Sequence, residues 1–458
     1  MAGRQSAGKT KINRRTFLKT VGGTAVAVAL SAKAPRIAAP AVAKGLTLHA
    51  LVYPWPPTVA VRDALPEYEK LTGVHVEWEE VPYDSLLAKI TTELVTKSGR
   101  YDIFVADDYW NSQLSATGNV EALDDYIAKA GHALDFEDFL DIARKSTYKG
   151  KVYQLPQSLN TYVSCWRKDV LEQEGIKAPA DGIFTAQEWT KIVKQLTKAD
   201  KYGTTFAIKS PNALAAHHWG GAMITSGGRF FDEQLNPIFN SKEGLLSATF
   251  WNDLLPACPR DQLNYGHLEA NEAMARGVAL TQTTQSAGRI PMINDPKHST
   301  VAGKVTWGLL PYKGLAPSKS KAGQNFIGGF GFSLPKDSKH KQEAWDFCVW
   351  AVDKPKQIRW AEIPVLPTRK SVLTNPELVR KQPWLDVIRR QLESSFIYPE
   401  IPEWSQIPDM IGTELIGAYG KQVSLKDALD RVTASTAQLL KDRGYPVGTW
   451  RGSKLPWE

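Results

Sequence analysis

Two acids followed by two aromatics, Asp107, Asp108, Tyr109 and Trp110, stand directly after the apolar run 103–106. A carboxylate accepts from two neighbouring hydroxyls in charge-assisted bonds. A flat ring covers the C–H face of a polyhydroxylated molecule, so acids beside rings have the chemistry of a sugar-like site. The same acids serve equally as caps of an ordinary strand-to-helix turn, and both readings stand at this point. More tryptophans occur in turn-like contexts: Trp55 in "YPWPP", Trp219 in "HHWGG" and Trp404 in "PEWSQIP". Trp78, Trp189, Trp345 and Trp350 instead fall in core-like patterns.

Several chemistries have no motif here. The chain contains no G-x-S-x-G elbow, P-loop, full G-x-G-x-x-G or H-E-x-x-H. His217 and His218 are adjacent and lack helical ligand spacing, so no metal is expected, and no cofactor. Asp107 and Asp108 make a poor glycosidase pair, because strand neighbours point to opposite faces while such enzymes need two carboxyls facing one bond. The expectation is therefore a protein that is not an enzyme. A secreted carbohydrate-active enzyme stays as the alternative of a different class.

The formal charge of +8 is misleading. Eight of the 56 Lys and Arg lie in residues 1–43, which hold no acid, and the remaining 48 balance 48 Asp and Glu. Nothing in that balance points to nucleic acid. Residues 1–43 run from a basic stretch with Arg14–Arg15 through "VGGTAVAVAL" to "APAVA". This is the layout of a cleavable export signal, similar to the twin-arginine type. The expected location is the periplasm, as a soluble monomer. Cys165, Cys258 and Cys348 are spread singly, which fits a fold that does not depend on disulfides.

The elements that must position the acids and rings follow from periodicity. "LTLHALV", "VHVEWEEV" and "DIFVADD" read as strands separated by helices that stop at Gly73 and Gly99. That alternation predicts a mostly parallel α/β sheet, whose ligands sit beyond the strands' carboxyl ends, where Asp107–Trp110 fall. "NTYVSCW", "GVALTQTTQSAG" and "GGFGFSLP" read as later strands. Thr185 and Glu188 form a capping box, and the last helix runs from its Ser424 cap to Gly444.

Six segments, in order, resemble the extracellular solute-binding proteins of the maltose-binding type, which serve ABC importers for carbohydrates. They are "SGRYDIFVADDYW" with "TGNVEALDDYI", "YKGKVYQLPQSLNTYVSCWRKDVLEQEGI", "TAQEWTKIVKQLTK", "NEAMARGVAL", "GGFGFSLPKDSKHKQEAWDFCVWA" and "LPTRKSVL". The resemblance implies a two-lobed periplasmic-binding-protein fold, each lobe a mixed, mostly parallel sheet flanked by helices. It places lobe one at 44–157 plus 286–333 and lobe two at 158–285 plus 334–458, with a hinge crossing near Asn160. It implies capture of a carbohydrate or polyol by hinge closure and delivery to permease subunits, or, as the runner-up, capture of a charged solute such as a polyamine or a phosphorylated or sulfonated polyol.

By the same resemblance, ligand contacts fall at Trp55, Asp107, Asp108, Tyr109, Trp110, Asn160, His217, Trp219, Gln282, Gln285, Gly328, Gly329, Phe330 and Arg369. Trp55, Trp110 and Trp219 would stack, so Trp110→Ala is expected to abolish binding and leave folding intact. "TQTTQSAG" lacks an aromatic that relatives usually carry, and Phe330 stands where relatives often have Trp. Both departures favour a smaller or more polar ligand.

Overall fold

The structure, a computed structural model, describes residues 45–141, 147–211, 214–315, 323–361, 366–452 and 455. The expected export signal at 1–43 lies outside the described residues. Among the described residues no helix is long and apolar enough to cross a membrane.

The first half begins with strand β1 (Thr47–Val52), helix α1 (Pro56–Thr72), β2 (His75–Glu80), α2 (Tyr83–Thr96) and β3 (Ile103–Asp107). Gly73 ends α1 in the left-handed conformation, at φ 75°, as its position in the sequence predicts. Two later strands, β4 (Leu155–Asn160) and β5 (Tyr162–Arg167), are separated by Thr161 alone. Helix α3 (Ala186–Leu196) follows, with the Thr185–Glu188 capping box formed. Then come β6 (Thr281–Ser286), β7 (Val305–Gly308) and β8 (Gly328–Ser333). Helices α4 (Lys341–Ala351), α5 (Lys354–Trp360), α6 (Trp384–Glu393), α7 (Ile407–Tyr419) and α8 (Leu425–Asp442) complete the chain.

The strands form two main sheets. The first has the order β2-β1-β3-β8-β4, parallel except for β8, which runs antiparallel to both neighbours. The second has the order β6-β5-β7, and both of its ladders are antiparallel. The mostly parallel expectation therefore holds for the first sheet and not for the second. Among the described residues, the parallel bridges Tyr202↔Ala279 and Phe206↔Thr284 lie beside β6.

Burial explains which segments travel together. Trp345, Phe347, Cys348 and Trp350 of α4 share one core with Leu48, Val52, Val105 and Phe332. Residues 334–360 thus pack on the first sheet, although sequence reading had put them in lobe two. Likewise β7 pairs with β5 in the second sheet, although 286–333 had been put in lobe one. The discontinuous return of the chain to the first sheet leaves no periodic signal in the sequence. The second sheet's core gathers Trp166, Trp189, Trp219, Trp251, Phe326 and Trp404. All three cysteines are buried and free, with Cys348 in the first core.

Candidate functional site

Register brings the strand ends to one edge. Parallel β1 and β3 end at Val52 and Asp107, and β4 ends at Asn160. Because β8 runs the other way, it begins at this edge: Gly328 opposes Asn160, and Phe330 opposes Asp107. The second sheet presents its matching edge one residue away, where Tyr162 opposes Ser286. The carboxyl ends of the first sheet therefore face the Tyr162–Ser286 edge of the second across Thr161. Open α/β sheets bind ligands at such an edge.

The first wall carries rings and acids. The Trp55 ring lies 5.1 Å from Phe330, which also meets Tyr53 at 6.0 Å and Tyr83 at 6.4 Å. Asp107 caps the following 3₁₀ turn, its Oδ1 accepting from the Tyr109 N–H at 3.1 Å and its Oδ2 from the Tyr83 hydroxyl at 2.8 Å. That turn ends strand alternation, so the Asp107 and Asp108 carboxyls meet instead of pointing to opposite faces. Burial, then the Asp107 charge, holds Asp108 well above the ordinary carboxylate range, and burial raises Asp107 as well. The Gly329 N–H points at Asp108. A side chain at Gly329 would put its Cβ 2.3 Å from the Ser158 carbonyl, so only glycine permits this approach of β8 to β4.

The second wall carries amides and imidazoles. Asn160 Oδ1 accepts from the Ser286 hydroxyl at 3.1 Å and from the Gly288 N–H at 3.4 Å. A Cβ on Gly288 would lie 3.7 Å from Trp55 and 3.8 Å from Asn160 Oδ1, so the two walls adjoin here. His217 sits in a π-helical turn, Leu214–Gly220, a geometry that recurs at functional sites. Its ring packs on Tyr162 at 4.3 Å, and its Cε1 lies 4.0 Å from a Cβ built on Gly328. His217 and Asn325 face each other at close range without a well-formed hydrogen bond. Burial pushes His217 down to about 3 and His267, bonded to the Tyr162 hydroxyl at 3.2 Å, down to about 4. Both are therefore neutral imidazoles near neutral pH.

Five residues at this edge hold buried polar atoms that have no hydrogen-bond partner among the described residues. They are Trp55 Nε1, Asp108 Oδ1, the Tyr109 hydroxyl, His217 Nδ1 and both amide atoms of Asn325. Buried polar groups in native proteins are nearly always paired, so these atoms keep hydrogen-bonding capacity that a bound molecule could use. A cavity of about 20 Å³, room for a water molecule, opens between Asp108, Tyr109, Ile327 and Tyr398. A larger hollow, about 500 Å³, lies at the opposite edge among His49, Glu77, Asp102 and His340. Its groups are spent on one another: His49 pairs with Glu77 at 2.8 Å, and Asp102 accepts from Ser338 at 2.6 Å.

Four expected contacts are placed elsewhere. Trp110 is 4% exposed and packs with Leu51, Leu86, Ile90 and Leu94 behind the first sheet. Trp219 is fully buried in the second core, its Nε1 donating to the Gly244 carbonyl at 2.8 Å. The short turn rotates Trp110 inward, and the π-helical turn does the same for Trp219 while presenting His217. Arg369 donates to the carbonyls of Leu134, Asp135 and Val352 at 2.8–3.2 Å and stacks on Phe139, so it staples chain segments together. Gln282 is buried against Asn271 and Thr284, away from the edge. Gln285, beside Ser286, keeps an unpaired Oε1.

Sequence reading missed Tyr83, Tyr162, His267, Arg289, Asn325 and Tyr398. Arg289, half-buried just past Gly288, forms no ion pair or hydrogen bond among the described residues, and its charge reaches Tyr162 and His267. Its place immediately after a small-residue strand end was the available signal. Tyr398, its ring stacked on Phe326 at 4.3 Å, comes from a distant loop, and nothing local marks it.

A family model described as bacterial extracellular solute-binding protein matches residues 63–384. A probable amino-acid ABC transporter periplasmic-binding protein of Sinorhizobium fredii is 23% identical over 397 residues, covering 83% of this chain and 86% of the relative. A mannitol-binding protein of Pseudomonas aeruginosa is 22% identical over 399 residues, covering 82% and 89%. Among solved structures, an ABC transporter solute-binding protein of Agrobacterium radiobacter in complex with ribitol superposes with a TM-score of 0.76. It is 26% identical and covers 86% of this chain and 99% of its own.

Proposed function

We propose that this chain, which belongs to the bacterial extracellular solute-binding proteins, is the receptor of an ABC importer that captures a small carbohydrate or polyol between two lobes. The carrying observation is the set of unpaired buried atoms on Trp55, Asp108, Tyr109, His217 and Asn325. It mixes donors and acceptors beside aromatic faces. A molecule with a hydroxyl on every carbon satisfies both kinds at once, and its C–H face rests on the rings. The mannitol-binding and ribitol-bound relatives support the same ligand class.

The receptor works without turnover. Ligand contacts to both walls favour the closed state, which the permease recognises. The two large cores support lobe one as 45–160 with 328–360 and lobe two as 161–327 with 401–447, while a third core joins Leu140 and Leu159 to Val163 and the helices within 370–393. Residues 1–43 would direct export to the periplasm. A charged solute is the second reading, favoured by the Arg289 guanidinium, which forms no ion pair among the described residues, and by the amino-acid relative.

A thermal-shift screen of the mature chain with four- to six-carbon polyols, hexoses, maltose, amino acids and polyamines tests this. Ligand at a hundred times its Kd adds about 2.7 kcal/mol to the native state. A rise of a few degrees with a polyol or monosaccharide is expected. Response to amino acids or polyamines alone establishes the second reading, and turnover of a glycan establishes an enzyme.

A further inference from the structure

The Asn160 side chain reaches across the junction of the two sheets. Asn160 is the last residue of β4, and Thr161 alone separates it from β5. The Thr161 carbonyl accepts from the Ala287 N–H at 2.9 Å, which brings Ser286, the last residue of β6, and Gly288 beside Asn160. Its Oδ1 accepts from both, from the Ser286 hydroxyl at 3.1 Å and the Gly288 N–H at 3.4 Å. A backbone N–H can only donate, so Gly288 fixes which way the amide points: oxygen toward the second sheet, nitrogen away from it. Asn160 is half-buried. Its Nδ2 forms no hydrogen bond among the described residues and, unlike Trp55 Nε1, is not sealed from solvent. The same backbone step borders Trp55, since a Cβ on Gly288 would lie 3.7 Å from that ring and 3.8 Å from Asn160 Oδ1. An anchored donor therefore stands near a ring at the edge where the strand ends meet.

We propose that Asn160 has two linked tasks: Oδ1 locks the amide onto the second sheet, and Nδ2, held in place by that lock, donates to an oxygen of the ligand. The terminal torsion of an asparagine is broad, so an unanchored amide turns freely. Two bonds on its oxygen stop that rotation before the ligand arrives. Ordering one free side chain on binding costs about two- to twelvefold in affinity, and the lock removes that cost. The donor requires a lone pair at this point of the ligand, which a hydroxyl supplies and an ammonium does not. The inference rests on the polyol reading and adds the residue that orients the ligand and the group it demands there.

Calorimetric titration of ribitol and D-mannitol into the wild type, Ser286→Ala, Asn160→Ala and the double variant forms a double-mutant cycle, with melting curves to show that each chain folds. Ser286→Ala keeps Nδ2 and frees one side of the lock, so it is expected to weaken both polyols by about two- to twelvefold. Asn160→Ala removes both tasks and is expected to weaken them further. On that background Ser286→Ala is expected to change affinity by less than about twofold, because the hydroxyl no longer has an amide to hold. Equal losses from Ser286→Ala on both backgrounds reveal a serine that meets the ligand by itself, and overturn the inference. Unchanged affinity in Ser286→Ala overturns it as well, whether or not Asn160→Ala folds. Both of those outcomes leave the receptor reading intact, since the wild type still binds. A wild type that binds no polyol or sugar overturns the receptor reading and this inference with it.

Discussion

Truncating Trp110 and Trp55 separately distinguishes a wall from a core. Trp110 is 4% exposed, lies among Leu51, Leu86, Ile90 and Leu94, and has its ring 5.0 Å from Tyr83. Replacement of a buried tryptophan by alanine removes its transfer free energy and leaves a cavity, together about 3–5 kcal/mol. Trp55 is only half-buried. Its backbone N–H, donating to Thr58 Oγ1 at 3.0 Å, caps α1 and survives truncation, so Trp55→Ala is expected to destabilise the chain by only about 1 kcal/mol, mainly the ring pair with Phe330. Trp55→Ala does remove a stacking face and the unpaired Nε1 donor. Those two contacts amount to about 1.5–3 kcal/mol, or roughly 10- to 150-fold in Kd. Urea denaturation of both variants gives the stabilities, and calorimetry with a polyol gives the affinities. Trp110→Ala should lose stability and change affinity at most several-fold, through Tyr83 and Asp107. Full stability with abolished binding in Trp110→Ala, together with unchanged binding in Trp55→Ala, would refute the site.

Arg369→Met should destabilise the chain by about 3–5 kcal/mol, because three carbonyls and Asp138 lose a buried charged donor. Its polyol affinity should stay within about twofold by calorimetry, which excludes Arg369 as a ligand cation. Gly329→Ala forces β8 off the Ser158 carbonyl, so a loss of about 1–3 kcal/mol in urea is expected, with weaker binding because the N–H at Asp108 moves. Burial holds His217 at about 3 and His267 at about 4, below the unfolded value near 6.5. The unfolded chain thus binds more protons below pH 6.5, and stability should fall by about 1–2 kcal/mol per histidine from pH 7.5 to 5. Urea midpoints at the two pH values check this, and His217→Gln should reduce the fall.

Much of the first sheet was legible in the sequence. "VHVEWEEV" alternates because one face is buried, and the left-handed Gly73 was visible as a stop. The Thr185–Glu188 box and the Ser424 cap are local devices, readable from spacing alone. What spacing cannot give is where β8 inserts, since "GGFGFS" is compatible with any sheet until register fixes Gly328 opposite Asn160. The same limit governs the site. Trp55 and the two acids lie at strand ends that periodicity locates, whereas Tyr398 and Asn325 arrive from distant segments. Trp110 and Trp219 were misjudged because one turn of a 3₁₀ or π helix decides whether a ring faces inward, and composition is blind to that rotation.

Thr161 is the sole residue between β4 and β5, which belong to different sheets. Any bending there is confined to very few backbone torsions. The Gly328, Asn160 and Ser286 groups lie almost on the pivot and are displaced little when it turns. Surfaces far from it, such as the exposed helix ends, sweep through long arcs for the same angle. A guest molecule that turned this pivot would shift its nearest neighbours only slightly and the far surfaces most.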